Sequence, residues 1–123
     1  MRREEIDLTT VFIKHIKRVG GRGPRNIHCK LEVEKKSLSF VFWLGKSAFE
    51  QFIFDYTKNG KMHLRTLYED VFSVVCIDLL AELSNVTNLT LTLKAFTFDL
   101  NDDRFEVDFI IEESGGANGS QSD

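Results

Sequence analysis

The sequence predicts an α+β fold: a four-stranded antiparallel sheet made of two β-hairpins, with two or three helices packed on one face. Three observations carry that prediction. Residues 26–33, 89–100 and 105–111 carry strand-like alternation, 38–44 is a short apolar run, and they pair off across short polar turns as 26–33 with 38–44 and 89–100 with 105–111. Helical periodicity fills the proline-free stretch between the two pairs. At 123 residues, 42% hydrophobic and 28% charged, the chain has the size and make-up of one domain able to bury its own core. Eleven phenylalanines point to an aromatic core.

The first element spans residues 4–19. Leu8, Val11, Phe12, His15, Ile16 and Val19 recur at helical spacing, with Asp7 as N-cap. A strand reading competes, because Val11, Ile13, His15, Lys17 and Val19 alternate and Thr9–Ile13 is rich in β-branched residues. Length favours the helix. Gly20-Gly21-Arg22-Gly23-Pro24 then breaks the chain. In the strand that follows, Ile27, Cys29, Leu31 and Val33 alternate with His28, Lys30 and Glu32. Glu34–Ser37 is a turn. Leu38–Leu44 is apolar on both faces and reads as a central strand.

Ser47-Ala48-Phe49-Glu50 is a capping box, opening a helix with Phe49, Phe52, Ile53 and Tyr56 on one face. Lys58-Asn59-Gly60 ends it. Lys61–Arg65 is expected to be a short connection or a strand, and Thr66-Leu67-Tyr68-Glu69 a second capping box. From there to Leu83 the chain is apolar nearly all round, as in a buried spine or a subunit interface. Leu89, Leu91, Leu93 and Ala95 give way to Phe96, Phe98 and Leu100, a phase shift that predicts a β-bulge near Ala95-Phe96. Asn101–Arg104 is a turn, and Phe105, Val107, Phe109 and Ile111 form the inner face of the last strand. The sequences of the two hairpins give no support for a duplication. The domain is expected over 1–113, followed by a disordered Gly/Ser-rich tail at 114–123.

Charge is unevenly spread. Residues 1–36 carry a net +5 and residues 37–123 a net −8. Leu8–Leu31 holds Lys14, Lys17, Arg18, Arg22, Arg25 and Lys30 and no acid. Three readings of that segment are open: a contact with phosphates of a nucleic acid, solvated side chains, or docking on the acidic half of a second subunit. The phosphate-loop pattern is absent, and a pI near 5.6 does not suit a dedicated DNA-binder.

No motif for catalysis or metal binding stands out, and no cofactor is expected. His15, His28 and His63 make no i,i+3 or i,i+4 pair. Cys29 and Cys76 lie in apolar patterns and read as buried free thiols. The acidic pairs Asp102-Asp103 and Glu112-Glu113 lack calcium-loop spacing. Phe40, Phe42 and Trp43 read as core rather than as a stacking platform for bases. No secretory h-region follows the charged start, and 71–83 is too short to span a bilayer, so an intracellular location, cytoplasmic or nuclear, is expected.

The function these features favour is a non-enzymatic interaction or regulatory protein. It would bind another protein or itself, as a homodimer through sheet edges or the 66–84 helix. Accessory and inhibitor proteins of viruses and phages share this make-up. The alternative is nucleic-acid binding through residues 14–30.

Overall fold

A computed structural model of the chain describes residues 2–112, so the tail expected at 114–123 lies outside the described residues. The elements are α1 (Arg3–Gly20), β1 (Arg25–Glu32), β2 (Ser37–Trp43), α2 (Ala48–Tyr56), α3 (Gly60–Thr87), β3 (Thr90–Asp99) and β4 (Arg104–Glu112). The strands form one antiparallel sheet in the order β1-β2-β4-β3. Alternation explains which face is covered. Leu38, Phe40 and Phe42 of β2 and Phe105, Val107 and Phe109 of β4 are buried beneath α1 and α3, while their odd-phase neighbours are not.

The two halves of the chain repeat one another. Moving along by 67 residues carries the pair Glu32↔Ser37 onto Asp99↔Arg104, and Cys29↔Phe40 onto Phe96↔Val107. The β1 irregularity between Arg25 and His28 falls on the β3 irregularity between Leu93 and Ala95. The left-handed turn residue Lys36 (φ 53°) falls on Asp103 (φ 55°). The helices follow: α1 matches 70–87 of α3, and each ends in a left-handed cap, Gly21 and Asn88. The central pairing closes the symmetry, because Leu38↔Phe109 and Phe42↔Phe105 exchange about the pair Phe40↔Val107. Two αββ units are thus related by a pseudo-twofold axis normal to the sheet. Only Val19/Val86 and Phe42/Phe109 are identical between 3–44 and 70–111, so the repeat leaves almost no trace in the sequence.

Residues 45–69 belong to neither unit. This inserted segment holds α2 and the first ten residues of α3. Ser47 and Glu50 form the expected capping box: Glu50 N–H donates to Ser47 Oγ at 3.1 Å, and Ser47 N–H to Glu50 Oε1 at 2.7 Å. Gly60 is required by close approach, since a Cβ there would lie 2.0 Å from the Ile53 carbonyl oxygen. Lys46 anchors the insertion to the β3–β4 turn. Its ammonium is 2.6 Å from Asp103 Oδ1, donates to the Leu100 carbonyl, and lies 4.3 Å over the Phe54 ring.

Two expectations are corrected, and the expected bulge is present. Asp7 is not an N-cap: α1 begins a turn earlier, and Arg2 N–H is held by Glu5 Oε1 at 3.2 Å. Glu5 Oε2 also accepts from Leu31 N–H at 2.9 Å, which ties the helix start to β1 and favours the earlier nucleation. Lys61–Arg65 is not a connection, and Thr66–Glu69 is not a helix start, because α3 runs unbroken from Gly60. Leu64 is buried, and Gly60 and Lys61 lie against Ile53 and Phe54 of α2, so packing extends the helix there and extension needs no second nucleus. The bulge lies at Leu93/Ala95, next to its expected place.

Candidate functional site

The six basic residues at 14–30 are spread over three parts of the surface. Lys14 and Arg18 lie on the side of α1 that meets α3. Lys14 Nζ is 2.6 Å from Glu82 Oε2, and Arg18 Nη2 is 3.5 Å from Asp78 Oδ2. Arg22, in the loop after α1, donates to the Gly45 carbonyl. Lys17 and Arg25 are exposed, and Lys30 projects from β1 onto the uncovered sheet face with its ammonium 3.9 Å from Glu32. The acidic partner for Lys14 and Arg18 is therefore this chain's own α3.

Between those pairs lies His15, 5% exposed, with Nε2 2.8 Å from Glu82 Oε1 and Nδ1 buried without a hydrogen bond. The hydrogen bond from Lys14, and then that from His15, hold the Glu82 carboxyl below the ordinary carboxylate range. Both cysteines are free and buried. Burial is the main cause pushing the Cys29 thiol up to about 12, and burial also raises Cys76, so neither is an activated nucleophile in this fold. Among the described residues no group of three His, Cys, Asp or Glu side chains could hold a metal ion, and no helix is long and apolar enough to cross a membrane.

The uncovered sheet face carries the aromatic residue that is not core. Phe40 and Phe42 point under the helices. Trp43 points the other way, 6.2 Å edge-on to His28 and 5.8 Å beneath the Arg104 guanidinium. On the same face, burial first and Glu106 second raise the Asp108 carboxyl.

The helical side is more unusual. The stripe expected on α2 exists, but it faces solvent: Phe49, Phe52 and Tyr56 are 74%, 59% and 76% exposed. The Phe52 and Tyr56 rings touch each other, with centroids 5.1 Å apart, and none of the nine α2 residues is fully buried. On α3, the apolar character noted in the sequence divides. Phe72, Val75, Cys76, Leu79 and Leu83 enter the core, while Val74 and Ile77 stand out on the far side. Periodicity marks an apolar face without saying what covers it, so this surface was not legible as a site beforehand.

Beside α2 the core opens into a cavity of about 230 Å³. The end of α1, the end of β2 and the middle of α3 wall it, and the insertion closes one side with Glu50, Leu67 and Tyr68. Tyr68 and Glu50 both face the cavity. Burial, and after it the Glu50 charge, push the phenol well above its ordinary range.

No family model, no curated protein and no solved structure matches the chain.

Proposed function

We propose that this chain is a non-enzymatic interaction module that works as a homodimer through its helical side. One observation carries the reading: three large aromatic side chains, Phe49, Phe52 and Tyr56, stand in solvent on one nine-residue helix. Their free surface is on the order of 400 Å², as large as the largest apolar patch of a typical monomer. The αββ repeat accounts for the sheet and for α1 and α3 without α2, so the ridge sits on a segment that the repeated frame does not use.

A second copy suits the ridge best. The 113–123 tail contributes only Ala117 as an apolar side chain and offers nothing to cover three rings. A self-complementary contact would add the exposed Val74 and Ile77 of α3 from each copy, moving towards the roughly 800 Å² per partner of a stable interface. The pairing of Lys14 and Arg18 with α3 favours this reading over nucleic-acid binding, since both charges already have partners.

Sedimentation of the wild-type chain at micromolar concentration tests the proposal. A dimer is expected, and a monomer from Phe49→Ser/Phe52→Ser/Tyr56→Ser with unchanged circular dichroism. A wild-type chain that stays monomeric would sink it.

A further inference from the structure

The cavity beside α2 is large enough to hold a small molecule. It is a cleft partly open to solvent, and an apolar cavity of about 150 Å³ is enough to take up benzene. This one measures about 230 Å³ and is lined almost wholly by carbon. It lies where the inserted segment meets the repeated frame. The frame supplies side chains such as Ile16, Phe42, Phe72 and Phe105, and the insertion supplies Glu50 and Tyr68.

A glycine helps to keep it open. Gly20 is the last residue of α1 and lines the cavity. The left-handed conformation belongs to its neighbour Gly21, so the backbone does not require glycine at position 20. A Cβ there would meet only Leu44 Cδ2, at 4.0 Å, an ordinary contact. Its mate in the other unit is Thr87. Glycine at position 20 therefore leaves that part of the wall without a side chain.

The polar pair sets the chemistry of the occupant. Glu50 accepts from Ser47 N–H and lines the cavity together with Tyr68. A carboxylate has about four lone-pair sites, so it retains room for another donor. It repels an anion, while the apolar walls would strip the water from a cation.

We infer that this cavity binds a small neutral aromatic molecule bearing one N–H or O–H donor, of the indole or phenol type, with the ring between Gly20 and Phe72 and the donor on Glu50. The size fits up to two fused rings. The inference is separate from dimerisation through the ridge and is read by a different measurement.

Amide spectra of the 15N-labelled full chain, titrated with indole and with naphthalene, test it. Indole is expected to give saturable shifts at Val19, Gly20, Leu67, Tyr68 and Val71, with roughly tenfold weaker binding of naphthalene, which lacks the donor. Glu50→Gln, which keeps the capping box, should bring indole down to the naphthalene level. Gly20→Leu fills the space and should abolish binding while leaving the melting temperature equal or higher; Val71→Phe does the same from the opposite wall. No saturable shift with indole up to its solubility, or unchanged indole binding in both filled variants, overturns the site. Equal binding of indole and naphthalene overturns the role of Glu50.

Discussion

His15 and Glu82 occupy the same position in the two αββ units, 67 residues apart, and bond to each other at 2.8 Å. The pseudo-twofold axis therefore passes close to this polar contact between α1 and α3. Lys14 joins from the solvent side.

Glu82→Gln should lower the denaturation midpoint at neutral pH, because the buried imidazole and the Lys14 ammonium lose their charged acceptor. The sign of the pH effect follows from linkage. The folded-state pKa of Glu82 is depressed, so its stabilisation is present above the unfolded value of about 4.3 and fades as pH falls through the lower folded value. Urea midpoints of wild type and Glu82→Gln should converge in acid and separate above about pH 5. A gap that stays constant across that window would refute the assignment.

Phe12 and Leu79 are also mates, both fully buried, and Phe12 stacks on Phe40 at 4.3 Å. Phe12→Ala should cost about 3–5 kcal/mol and Leu79→Ala about 2–5 kcal/mol. Either is a large share of the 5–15 kcal/mol that usually holds a domain together. Equilibrium unfolding in urea measures both, and losses below about 1 kcal/mol would mean these positions are not core.

Asp103→Asn isolates the anchor of the insertion. Asparagine tolerates the left-handed φ of 55° there, so the turn should survive, but Lys46, only 4% exposed, loses its counter-charge. A cost of about 2–4 kcal/mol is expected, with faster amide exchange in α2 than in β2. Uniform exchange across both elements would show that Lys46 does not hold the insertion in place.

The two thiols should be inert in the folded chain. With Cys29 pushed up to about 12 and Cys76 also raised, both buried, a disulfide reagent at pH 8 should label neither at an appreciable rate. Full labelling is expected on adding denaturant. Rapid labelling of either cysteine without denaturant would contradict its burial.

Much of the fold could be read from local pattern. Alternation over 26–33 and 105–111 identified those strands and which side of each was apolar, because a pleated strand turns successive side chains to opposite faces; 38–44, apolar on both faces, showed a strand but not its covered side. The capping box at Ser47 and Glu50 was visible because it is a contact between residues three apart. The start of α3 was missed because Gly60–Arg65 is helical through its packing with α2, which no local window contains.

What the sequence by itself determined is the set of elements, their apolar faces and the uneven charge, all of which depend on neighbours a few residues apart. The tertiary structure decided the rest. It paired β2 with β4, which revealed the αββ repeat hidden behind two identities. It turned Lys14 and Arg18 towards acids more than 60 positions away or at that separation, Glu82 at 68 and Asp78 at 60. It also left the aromatic face of α2 in water and a cavity behind Glu50. Periodicity states that a face is apolar, but only the arrangement of distant segments determines whether the chain covers it.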